Sequence, residues 1–245
     1  MLLEIATTDY ETTRIAVEAG ADRIQLCAAL SEGGITQSPS VLQRCREKFS
    51  IPLYPIIRPR GGDFLYTDDE FLLMQKDILF CRSLGMDGVV IGLLMPDGAI
   101  DAKRTAALVE LAYPMGVTFH RAFDRCVEPF LALETLIEIG CERILTSGQQ
   151  VTAPAGCALI AQLQQIANDR IIIMPGSGVR ENNIIDLAKK TGCTEFHTAA
   201  REGQASAMEF KHPSFLGNRE SYENPSLSAV AIRNIKSLLQ SLDQK

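Results

Sequence analysis

The sequence contains no CxxC pair, no HExxH signature and no apolar run near the roughly 18 residues of a membrane span. It has no stripe of basic residues interleaved with aromatics. With a net charge of −6, nucleic-acid binding is excluded as an expectation. The opening Met1-Leu2-Leu3-Glu4 has no basic segment and meets an acid at once, so no signal peptide is expected. Seven cysteines are scattered at Cys27, Cys45, Cys81, Cys126, Cys141, Cys157 and Cys193. An odd, dispersed set argues for reduced thiols in a cytoplasmic protein rather than a disulfide scaffold. None of the eight lysines stands at the end of a predicted strand, which disfavours a Schiff-base mechanism, where a desolvated amine is needed.

What is present fits one domain of alternating strands and helices. Hydrophobic residues make up 46% and charged residues 22% of the 245-residue chain. A chain of this length can bury roughly 70–75% of the surface its unfolded form exposes. A punctuation recurs: Gly20-Ala21-Asp22-Arg23-Ile24, Gly85-Met86-Asp87-Gly88-Val89, Gly140-Cys141-Glu142-Arg143-Ile144 and Gly192-Cys193-Thr194-Glu195-Phe196. In each, a glycine closes a helix and a β-branched run opens a strand. The strands read as residues 2–6, 23–27, 53–58, 88–93, 117–121, 143–147, 170–174 and 195–198. Ser38-Pro39 and Thr67-Asp68-Asp69-Glu70 mark helix starts, the second as a capping box. Eight alternating units predict a single (β/α)8 barrel over residues 1–245. It should carry an irregular stretch at 201–225, either a lid or a surface excursion, and a last helix at about 226–242.

Side-chain alternation along the strands gives each an apolar face and a polar one. The polar face carries Glu4, Gln25 with Cys27, Arg58, His120 and His197, near strand ends. Barrel interiors are packed with branched aliphatics, and barrel enzymes keep their sites at the C-terminal strand ends. One polar site is therefore expected there. Arg58 and Arg60 are candidates to clamp a carboxylate or phosphate. Gly176 and Gly178, in Pro175-Gly176-Ser177-Gly178-Val179, offer backbone amides to an anion. Thr146 and Ser147 add hydroxyl donors. His120, with Glu4 or Asp124, is the candidate proton carrier, and Asp63 and His197 complete the set.

Ile56-Ile57-Arg58-Pro59-Arg60-Gly61-Gly62-Asp63-Phe64, Thr118-Phe119-His120-Arg121-Ala122-Phe123-Asp124, Leu145-Thr146-Ser147-Gly148 and Cys27-Ala28-Ala29 closely resemble the CutC family, named for copper homeostasis. The resemblance runs from about residue 2 to 210. It implies a cytoplasmic TIM barrel, commonly a homodimer or higher homo-oligomer, with a role in copper tolerance and possible Cu(I) binding. Many family members carry a cysteine pair after the first strand, where this chain has Ala6-Thr7-Thr8, and an acid where it has Gln25. Cu(I) prefers thiolate ligands, which leaves Cys27 and Cys126 as the candidate pair near the upper face. Two readings follow: a copper-handling protein without turnover, or a barrel enzyme, of isomerase or lyase type, acting on a small anionic metabolite, phosphorylated or not.

Overall fold

A computed structural model describes residues 1–215 and 222–243. The elements, in order, are β1 (Leu2–Thr7), α1 (Tyr10–Glu18), β2 (Arg23–Leu26), α2 (Pro39–Lys48), β3 (Leu53–Pro55), α3 (Asp68–Ser83), β4 (Gly88–Ile91), α4 (Ala102–Ala112), β5 (Gly116–Phe119), α5 (Pro129–Ile139), β6 (Arg143–Thr146), α6 (Cys157–Ala167), β7 (Ile172–Pro175), α7 (Ile184–Thr191), β8 (Glu195–Thr198), β9 (Arg201–Ala205), β10 (Glu223–Leu227) and α8 (Ala229–Asp243). Strands β1–β8 form two parallel ladders, ordered β3-β2-β1-β8 and β4-β5-β6-β7. The ladders join where Ile56 bridges Val90 and the Ile57 N–H donates to the Val90 carbonyl at 2.8 Å. At the other seam β7 packs beside β8. The result is a (β/α)8 barrel.

The local signals explain the element ends. Thr67 caps α3 in a reciprocal box with Glu70, satisfying two amides that the first turn leaves free. Gly140 and Gly192 end α5 and α7 at φ 89° and 72°, a backbone region that costs glycine little. Leu3, Ile5, Ile24, Leu26, Val89, Ile91, Val117, Phe119, Ile144, Ile173 and Phe196 are buried in one apolar cluster, which glues the strands to the helix layer.

The lower barrel is ionic. Arg23 pairs with Glu4 at 2.5 Å and with Glu195 at 2.7 Å. Arg143 pairs with Glu195 at 2.6 Å and Glu142 at 2.9 Å, and both guanidiniums lie against the Tyr54 ring. Buried charges are tolerated when paired and hydrogen-bonded in this way.

Three expectations shift. The third strand stops at Pro55 rather than Arg58, because the Arg58 N–H is taken by Thr36 Oγ1 at 2.9 Å. The seventh begins at Ile172, since Arg170 N–H still bonds the end of α6 at Ala167. The stretch expected to be irregular at 201–225 contains an antiparallel hairpin, β9 with β10, from Arg201↔Leu227 to Ala205↔Glu223. Residues 216–221 of that stretch lie outside the described residues.

Candidate functional site

The C-terminal ends of the strands surround a cavity of about 500 Å³. Its wall includes Gln25 from β2, Arg58 and Phe64 from the loop after β3, His120, Arg121, Asp124 and Arg125 from the segment after β5, Ser177, Gly178 and Arg180 from the loop after β7, His197 from β8, and Arg201. Five arginines (Arg58, Arg121, Arg125, Arg180 and Arg201) and two acids, Glu32 and Asp124, therefore line it.

Arg58 is 4% exposed. Its head donates to the carbonyls of Glu32 at 2.7 Å, Gly34 at 2.9 Å and Gly62 at 3.0 Å. Those bonds fix its position without neutralising its charge. Among the described residues, Arg58, Arg125, Arg180 and Arg201 make no ion pair. The Phe64 ring lies between two of the charges, 5.0 Å from Arg58 and 5.2 Å from Arg125.

His120 packs against Phe64, with ring centroids 4.9 Å apart. Gly92, just after β4, leaves the room it needs: a Cβ there would stand 2.2 Å from its Cε1. The Ala122 N–H donates to Nδ1 at 3.1 Å, while Nε2 is buried without a partner among the described residues. Burial first, then the positive charges of Arg58 and Arg121, push its pKa down to about 3. The Gln25 Oε1 is a second unpartnered buried atom of this wall.

His197 joins the cavity to the ionic network beneath. Its Nδ1 lies 2.8 Å from Glu4 Oε1. Glu4 is completely buried, and burial is the largest influence on it, raising its pKa. The opposing pull of Arg23 and His197 outweighs that and holds it at about 2. Glu4 is thus an ionised support behind His197 rather than part of the cavity wall.

Asp124 is an anchor. It accepts from Thr146 Oγ1 at 2.5 Å, Ser147 N–H at 2.9 Å, Ser147 Oγ at 2.9 Å, Gln149 N–H at 3.2 Å and Arg121 Nε at 2.7 Å. The Thr146 and Ser147 hydroxyls are spent on it and are not part of the wall. The Gly176 N–H is spent on the Thr146 carbonyl at 2.9 Å. Ser177 and Gly178, both left-handed at φ 74° and 73°, have amides with no acceptor among the described residues. Of the expected glycine pair, only Gly178 lines the cavity. Arg60 and Asp63 also lie outside it. They pair with each other at 3.0 Å, and Glu70 holds Arg60 at 2.6 Å. The capping box of α3 captures the second arginine of the motif and turns it away.

Cys27 and Cys126 are not brought together. Cys27 belongs to a small cluster with Tyr54, Ile56 and Val90, and Cys126 to the main apolar core. Burial pushes their thiols up to about 12 and about 11, so neither offers a ready thiolate. Among the described residues no group of three or more His, Cys, Asp or Glu is placed to hold a metal ion.

Sequence reasoning missed Arg125, Arg180 and Arg201. Arg180 stands two residues beyond Gly178 and Arg201 three beyond Thr198, and their positions after β7 and β8 were the available signal.

The CutC family model matches residues 1–202. The chain belongs to the CutC family. It is 46% identical over 243 residues to a CutC family protein of Chromobacterium violaceum, covering 99% of this chain and 98% of that one. It is 42% identical to the human copper homeostasis protein cutC homolog, covering 97% and 87%. The crystal structure of Streptococcus agalactiae CutC superposes with a TM-score of 0.76 at 30% identity, covering 81% of this chain and 98% of that one. The barrel of phosphoribosylanthranilate isomerase from Thermotoga maritima matches with a TM-score of 0.59 at 12% identity, over 98% and 99%. At that identity the likeness concerns the fold alone. No helix among the described residues is long and apolar enough to cross a membrane.

Proposed function

We propose that this CutC-family chain serves in copper homeostasis, the role named for its human relative, and that its molecular work is binding a small anionic metabolite in the barrel mouth. The observation that carries the anion reading is the charge of the cavity wall. Among the described residues four of its five arginines have no carboxylate partner, and one of them, Arg58, is buried. A buried cation without a counter-charge is costly, and a bound carboxylate or phosphate would supply one. The Ser177 and Gly178 amides, in the loop after β7, add donors where barrels commonly hold phosphate. The seven free thiols support a reducing, cytoplasmic setting.

Direct metal carriage is the weaker version of the copper role. It would need two protonated thiols from separate clusters to ionise and meet. A Cu(I) competition titration against a chelator should show no tight stoichiometric binding. Tight binding lost in Cys27→Ser with Cys126→Ser would restore the direct version.

The anion reading is tested by melting temperature. Phosphate, sulfate or pyruvate at roughly 100 times its dissociation constant should stabilise the fold by about 2.7 kcal/mol. Arg180→Ala with Arg201→Ala should remove most of the gain. Arg60→Ala should leave it, because Arg60 is tied to Asp63 and Glu70 outside the cavity. A melting point indifferent to all three anions would reject the proposal.

A further inference from the structure

The two cavity histidines are held from behind by partners of opposite kind. A backbone N–H can only donate, so Ala122, 3.1 Å from His120 Nδ1, requires that nitrogen to be bare. Burial between Phe64 and Phe119, and beside Arg58 and Arg121, keeps the ring neutral, so its one proton sits on Nε2. That N–H has no acceptor among the described residues. An ionised carboxylate can only accept, and Glu4 is held ionised by Arg23 at 2.5 Å. With Glu4 Oε1 2.8 Å from His197 Nδ1, that nitrogen must carry the proton. In the neutral ring the lone pair is then on Nε2, which has no hydrogen-bond partner among the described residues. One cavity therefore holds an imidazole donor at His120 and, in the neutral form of the His197 ring, an imidazole acceptor, each closed on its far side.

We propose that His197 is a general base and His120 a neutral electrophile, acting on a small anion that carries a carbonyl next to an acidic C–H. The assignment rests on the anion-site reading above and deepens it. His197 Nε2 takes the proton from the carbon beside the carbonyl, and the C–H bond breaks. Its electron pair becomes the C=C bond of an enolate while the carbonyl π pair moves onto oxygen. His120 Nε2–H hydrogen-bonds that oxygen, and the arginines hold the substrate's own charge. Return of the proton from His197 to the same carbon restores the C–H bond and the carbonyl, which completes an exchange. No oxidant, reductant or metal enters the balance. A neutral donor suits this task because it stabilises developing negative charge without giving up its proton. Glu4 is a positioning residue: it fixes the His197 tautomer and touches nothing that reacts.

The tautomers can be read without a substrate. The chain has three histidines, His120, His197 and His212, so long-range 15N–1H spectra at neutral pH can be assigned with His120→Gln and His212→Gln. The expected pattern is a bare Nδ1 and protonated Nε2 in His120, and the reverse in His197. The same tautomer in both rings, or a charged His120, overturns the assignment. Glu4→Gln should redistribute the His197 proton; if that variant does not fold, the wild-type spectrum still decides. The second arm uses pyruvate and glycolaldehyde phosphate in D₂O, with inorganic phosphate as a binding control. Exchange of the C–H beside the carbonyl is expected, falling about 100-fold or more in His197→Gln, with stabilisation by the same anions retained. Anions that stabilise the wild-type protein while no C–H exchanges overturn the proton-transfer role and leave the anion site standing. Anions that fail to stabilise the protein at all overturn the anion site itself.

Discussion

His120 is 5% exposed, and both cations beside it, Arg58 and Arg121, oppose its protonation. Its folded pKa of about 3 lies below the ordinary value of 6.5. Between those values the unfolded chain binds a proton that the native one refuses, so stability rises with pH across the window. The contribution is complete above about 6.5 and is lost as pH falls towards 3. Glu4, at about 2 against an ordinary 4.5, has the same sign, with its loss confined to pH below about 4.5. The two windows separate the residues. Denaturant midpoints measured from pH 7 to 4.5 should fall in the wild-type protein, by a total on the order of a few kcal/mol at most. In His120→Gln the fall over that range should flatten, leaving the steeper loss below 4.5. An unchanged slope in the variant would mean that His120 is not the group responsible.

At the scale of elements, the same few signals place the chemistry and the frame that holds it. Thr67 and Glu70 close the start of α3, and Glu70 also holds Arg60. Thr67→Ala should cost about 1 kcal/mol, read as a shift in denaturant midpoint. Because the cavity wall takes nothing from Arg60, stabilisation by anions should persist in that variant; its loss would show that the α3 start shapes the site. This corner also shows what could be read in advance. Helix starts, helix-ending glycines and strand alternation depend on neighbours in sequence, and so the barrel and the polar faces carrying Gln25, Arg58, His120 and His197 were legible. Which of Arg58 and Arg60 faces the cavity depends on Glu70, ten residues further on. Asp124 reads as a free carboxylate until Thr146, Ser147 and Gln149 fold over it. Arg180 and Arg201 converge on the cavity only through closure of the ring between β7 and β8. The β9–β10 hairpin was missed because Gly203 and Pro225, which face each other in it, read locally as breakers.

For the whole molecule, charge is arranged in two storeys. In the lower barrel the guanidiniums are fully paired, Arg23 and Arg143 each meeting two glutamates and sharing Glu195. The upper storey is left positive although the chain as a whole is acidic at −6. On the function proposed above, a local cationic mouth on an acidic chain would draw small anions inward by focusing the field. A structural role alone would not require the upper arginines to be unpaired when the lower ones are so completely paired. Copper handling through cysteine would require the thiols, and not the arginines, to converge. The most direct test is a crystal structure of the protein grown in phosphate or pyruvate. Anion density in the mouth, within hydrogen-bond reach of Arg180, Arg201 and the Gly178 amide, is the predicted result. A cavity without an anion, its arginines turned to carboxylates of the same chain, would contradict the account.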